Sequence, residues 1–286
     1  MTDEPRAKKV TASSVSAATA FIACVQLLAL GVTSQNRPVY EAVVNESGYT
    51  YNPFGESPTG SAGNALVLVG LAFGLTLVLV ALVRRKRVLS FRVMVFGSLA
   101  LSAFILTLVT ASVFASEYLP GFEDQFGLVA AGGTVLLVGY VVFVRTRWWV
   151  GTFTLAFLGA QVGSFFAETL SPTTALVLPL AFAAYDAYAV FKGPLRQLVG
   201  TVPGVALAGL TVKAGEFTVG LGDLVFYSML PSLALFRWSP GASAAVLVAV
   251  DVGVVATLGL LSRKKLLPGL PIPMVLGVLA LAYFLI

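Results

Sequence analysis

Histidine is missing altogether from this 286-residue sequence. Without it there is no imidazole base to activate a serine and no His-Glu-x-x-His zinc site. Cysteine occurs once, as Cys24, so no internal disulfide can form and the redox compartment is not readable. Because Cys24 sits in an apolar run, its thiol is expected to be packed and inert. Charge is scarce too: Asp, Glu, Lys and Arg make up 11% of the chain, where soluble domains carry about 25%.

What fills the chain instead is apolar. Hydrophobic residues make up 58% of it, and the mean hydropathy is +0.93. The apolar runs fall into nine spans, at about 14–33, 63–83, 93–115, 126–144, 148–168, 172–191, 218–236, 241–262 and 268–286. Each is near the ~20 residues needed to cross the ~30 Å of hydrocarbon in a bilayer. In lipid the backbone must satisfy its own polar groups, and continuous apolar runs lack the alternation of a barrel. The expectation is therefore an all-α polytopic membrane protein of one domain covering 1–286, with the first span retained rather than removed as a signal peptide.

The basic residues set its orientation. With the N-terminus in the cytoplasm, 16 of the 18 Lys and Arg fall on the cytoplasmic side and only Arg37 and Arg237 fall outside. That asymmetry predicts nine crossings and an outside C-terminus. It also explains the net charge of +5 without nucleic acid. Asn45-Glu46-Ser47 forms a glycosylation sequon on the outer side. Gly70-x-x-x-Gly74 and Gly159-x-x-x-Gly163 are expected to let helices approach closely.

A charge deep in a bilayer costs at least ~2.5 kcal/mol, so intramembrane carboxylates are functional candidates. Asp186, Asp223 and Asp251 qualify. Glu168 is expected to reach the outer interface, and Gln161 to bond a neighbouring helix. Asp186 lies ~9 Å from the cytoplasmic end of its span and Asp223 ~7.5 Å from the start of the next, so the two come out level; Asp251, ~16 Å deep, does not. Two facing carboxylates hold one proton between them. One can then activate water while the other polarises a carbonyl. Buried aspartates serve ion- or proton-coupled transporters and leak channels equally well, and depth alone leaves both readings open.

Three motifs separate them. Tyr185-Asp186 begins Tyr-Asp-Ala-Tyr-Ala-Val-Phe-Lys-Gly-Pro-Leu-Arg; Gly220-Leu221-Gly222-Asp223 continues Leu-Val-Phe-Tyr-Ser; and Leu267-Pro268-Gly269-Leu270-Pro271-Ile272 opens the last span. In order and placement they resemble the first aspartate segment, the Gly-x-Gly-Asp motif and the Pro-Ala-Leu motif of the presenilin and signal-peptide-peptidase family of intramembrane aspartyl proteases. The charge asymmetry matches the presenilin branch rather than the inverted peptidase branch. The resemblance implies an endopeptidase that cuts transmembrane helices of substrate proteins within the lipid bilayer. Asp186 and Asp223 would be catalytic; Tyr185, Gly220, Leu221, Gly222, Pro268, Gly269 and Leu270 would shape the site or bind substrate, with no cofactor and no metal.

The sequence departs from the family pattern at Gly269, where the alanine of Pro-Ala-Leu is replaced, a change expected to be mild. It departs again in the short connection at 192–217, which argues against a need for autocleavage. By analogy, a microbial homologue in the cell membrane would act as a single chain without companion subunits. An unwound substrate is expected to pair as a strand with residues 207–218, around the β-prone Leu210-Thr211-Val212, facing Pro268–Pro271.

Overall fold

A computed structural model describes residues 11–49, 51–144, 147–192, 209–261 and 267–284. Among them the elements run α1 (Ala12–Ser47), α2 (Pro58–Arg84), α3 (Val88–Tyr118), α4 (Glu123–Phe143), α5 (Trp148–Thr169) and α6 (Pro172–Phe191). Then come β1 (Thr211–Ala214), β2 (Phe217–Gly220), α7 (Leu221–Arg237), α8 (Pro240–Leu261) and α9 (Pro271–Ala282). Seven of these helices are long and apolar enough to cross a membrane. Their starts follow local chemistry: Thr11, Ser57 and Ser171 cap α1, α2 and α6 through their hydroxyls, and proline opens α2, α6 and α9.

The remaining two helices are shorter than the spans expected at 218–236 and 268–286. α7 has 17 residues and α9 has 12. Upstream of α7, residues 217–220 are drawn into a strand, and before α9 the Leu267–Leu270 stretch is not helical up to Pro271. α1 and α3 are longer than expected, at 36 and 31 residues, because polar segments continue the apolar helices beyond their ends.

α7 forms the centre. Nearly every side chain from Leu224 to Ala234 is buried, as expected of a helix enclosed on all sides, and α1, α5, α6, α8 and α9 pack around it. The closest approach is to α5 through Gly159 and Gly163. A methyl at Gly163 would lie 2.6 Å from the Val225 carbonyl oxygen, and one at Gly159 3.2 Å from Leu224 Cβ. Gly70 and Gly74 differ from expectation, since nothing lies within 4 Å of either position. Cys24 differs too: it lies on the exposed face of α1, where lipid would cover it, and is not packed.

The strands form an antiparallel hairpin pairing Thr211 with Gly220, Val212 with Val219, Lys213 with Thr218 and Ala214 with Phe217. Gly215 takes φ +61° in the two-residue connection, a conformation that glycine adopts without penalty. Val212 and Ala214 are buried on the face toward α1 and α5. Residues 193–208, which hold the Gly-Pro-Leu-Arg end of the first motif and Leu207 of the expected substrate strand, lie outside the described residues. So do several of the basic residues used for orientation, among them Arg6, Lys8, Lys9 and Lys264.

Candidate active site

Two polar residues meet at one end of α6 and α7. Asp186 sits five residues before the end of α6 at Phe191, and Asp223 is the third residue of α7. The hairpin runs straight into α7, with the Leu221 amide donating to the Leu210 carbonyl at 2.9 Å. Asp223 therefore stands at the mouth of its helix, not ~7.5 Å inside it. There its Oδ2 accepts from the Gly220 amide at 3.3 Å, and the positive end of the helix dipole favours a negative group. The two carboxylates are close enough to interact electrostatically.

The Pro268–Leu270 segment closes the site. Leu270 donates its amide to Asp186 Oδ2 at 3.1 Å, and the Gly269 carbonyl accepts from the Tyr227 hydroxyl at 2.9 Å. Both groups belong to one peptide unit, so that unit is held at both ends. Pro268 and Leu270 are buried beneath it. A Cβ on Gly269 would lie 2.8 Å from Asp223 Oδ2, and one on Gly220 3.3 Å from the same oxygen. Both glycines thus leave room that the Asp223 carboxylate occupies. Gly222 is different: it is exposed with nothing within 4 Å, so a peptide backbone can approach there. Leu221 packs toward Gly159.

A cavity of about 90 Å³ opens beside Asp223, lined among others by Thr218, Tyr227, Thr257, Leu258 and Gly269. β2 borders it. Within a hairpin closed by two residues, Ala214–Phe217 and Val212–Val219 are the pairs that exchange hydrogen bonds, and the Leu221-to-Leu210 bond continues this alternation. Thr218 consequently turns its amide and carbonyl away from β1, along the free edge.

Tyr227 escaped the sequence reading. It lies four residues after Asp223, on the same helical face, and that spacing was the available signal. Tyr185 is not brought to the dyad: its hydroxyl donates to Thr76 Oγ1 on α2 at 3.0 Å, and its ring packs edge-on against Phe73 and Phe182. Asp251 lies on α8 beside the Gln26 side chain. Gln161 accepts from Thr107 at 3.2 Å, the expected bond to a neighbouring helix. Glu168 is fully buried near the end of α5. It accepts from Ser164, which bonds Thr33 on α1, while Arg237 donates to its backbone carbonyl.

A family profile described as signal-peptide peptidase, presenilin aspartyl protease matches residues 20–212; the match includes Asp186 and ends before Asp223. Two solved structures, each of a presenilin family intramembrane aspartate protease, share the fold. One, in a C222 crystal, has 19% identity and a TM-score of 0.65, covering 94% of this chain and 99% of its own. The other, in a P2 crystal, has 21% identity and a TM-score of 0.62, covering 93% and 96%. No curated protein matches the chain.

Proposed function

Since the chain belongs to the signal-peptide peptidase and presenilin aspartyl protease family and is an aspartic endopeptidase of the membrane interior, we propose that Asp186 and Asp223 are its catalytic dyad. The observation that carries this is the bracketing of both carboxylates by one segment: Leu270 bonds Asp186, and Gly269 leaves room for Asp223. In the working state one carboxyl is protonated and one ionised. The ionised member takes a proton from water as the water oxygen attacks the scissile carbonyl carbon. The protonated member gives its proton to the carbonyl oxygen, which becomes a hydroxyl of a tetrahedral diol. As the diol collapses and the C–N bond breaks, one diol hydroxyl returns its proton to the ionised member and the amine leaves with the proton of the other, which restores the dyad with one proton.

Substrate is a transmembrane helix that unwinds locally and lies along the free edge of β2 at Thr218, where backbone groups freed from its own helix find partners. This refines the clamp expected at 207–218. The pairing edge is β2, and Val212 belongs to the hairpin's inner ladder. Gly222 and the cavity beside Asp223 receive the residues around the cut. Tyr185 supports α6 from the side of α2 and does not handle substrate.

We read the whole chain as one proteolytic domain in the cell membrane, crossing nine times with a cytoplasmic N-terminus and an outside C-terminus. The charge asymmetry supports this reading; α7 and α9 are its two short crossings. It acts without companion subunits. The test is cleavage of a single-span reporter by purified protein in detergent. Asp186→Asn and Asp223→Asn each remove all cleavage from folded protein; peptidase activity in either variant overturns the dyad.

A further inference from the structure

α7 carries a proline in its interior, Pro231. A proline at this position has no amide to offer the carbonyl four residues earlier, and that carbonyl belongs to Tyr227. The group cannot go unpaired in an apolar interior without cost. The missing donor comes from another helix: Gln26 of α1, fully buried, donates its side-chain amide to the Tyr227 carbonyl oxygen at 3.3 Å. From α8, the Asp251 carboxyl approaches the same glutamine. On the other side of the proline, Ser243 of α8 donates its hydroxyl to the Pro231 carbonyl at 2.9 Å.

Tyr227 is also where this break meets the dyad, since its hydroxyl holds the Gly269 carbonyl and the adjoining Leu270 amide holds Asp186. We propose that Gln26 is a positioning residue for the reaction: its amide replaces the helix hydrogen bond that Pro231 removes, and so fixes the tyrosine that clamps the Gly269–Leu270 peptide against Asp186. The inference rests on the dyad reading above. It assigns a role in proteolysis to the first helix, whose side chain acts through Tyr227 without touching substrate.

Gln26 is necessary only while residue 231 lacks an amide. Gln26→Met keeps length and volume but loses the donor, and it should lower kcat about tenfold with KM unchanged. Pro231→Ala restores an amide that can bond Tyr227 within α7. In that background the same Gln26→Met change should cost less than about twofold. An equal loss in both backgrounds, or no loss in the Gln26→Met single variant, overturns the inference. Where Gln26→Met alone does not fold, folded and active protein from the double variant supports the inference, and failure to recover it overturns it. Asp186→Asn and Asp223→Asn are assayed alongside. Cleavage by either removes the dyad reading and the inference together, whereas inactive dyad variants with an unaffected Gln26→Met remove the inference alone.

Discussion

The hydroxyl of Tyr227 and the carboxylate of Asp186 hold opposite ends of a single peptide group, the one joining Gly269 to Leu270. A peptide unit is planar and rigid, so fixing its carbonyl on α7 fixes the direction of the amide offered to α6. The two helices that carry the aspartates are thereby registered through a segment that belongs to neither.

Tyr227→Phe tests this directly. The ring stays and the Gly269 carbonyl loses its partner, a buried loss worth about 1–3 kcal/mol. Cleavage should fall roughly ten- to a hundredfold through kcat, while the protein stays folded in detergent with a melting temperature lowered by several degrees. Activity equal to the parent would show that the peptide is held without the hydroxyl.

Strand pairing makes two prolines differ. Thr218→Pro removes an amide from the free edge of β2 and leaves the hairpin ladder whole, so KM should rise severalfold in a titration of reporter substrate. Val212→Pro removes an inner ladder donor at a buried position and should lower both activity and stability. Thr218→Pro with parental KM would take substrate off that edge.

Gly269→Ala places a methyl 2.8 Å from Asp223 Oδ2. The carboxylate is the free end of a side chain and can yield by a few tenths of an ångström, so the cost is small but falls on the reacting group. A loss of a few-fold in kcat is expected, with unaltered expression. This is harsher than the mild exchange expected from the motif, because the space at residue 269 is shared with the aspartate. An alanine variant as active as the parent would show that the carboxylate shifts without consequence.

Asp251→Asn keeps an oxygen that can accept from Gln26. It should therefore retain a measurable fraction of cleavage under conditions where Asp186→Asn shows none. Equal inactivity of the two would move Asp251 into the chemistry.

The parts of the site fixed by local sequence were readable in advance. Asp186 sits in a recognisable motif within a regular helix, whereas Asp223 and the Pro268–Leu270 segment sit in motifs whose glycine or proline announces a break from the helix. Parts fixed by packing were not. Tyr227 looks like any aromatic in an apolar helix until Gly269 is brought to it. The last three residues of the second strand, 218–220, read as the start of the following span, because no stop signal precedes Gly220. Glu168 sits at the end of an apolar run, where an interface is the ordinary expectation; its burial depends on Thr33, 135 positions away in sequence. The open positions of Gly70 and Gly74 show the reverse case, a packing motif without a partner helix among the described residues.

The brevity of α7 and α9 bears on the second reactant, water. At 1.5 Å per residue, their 17 and 12 residues reach about 25 and 18 Å, against roughly 30 Å of hydrocarbon. Two adjacent helices this short create a hydrophobic mismatch, which a bilayer meets by thinning beside them. Asp223 lies in the first turn of one, and Asp186 is bonded to the segment that leads into the other. If α7 and α9 cross as proposed, the carboxylates sit where the oily barrier is shallowest, and hydrolysis draws its water from the aqueous side while the bond to be cut still belongs to a membrane helix.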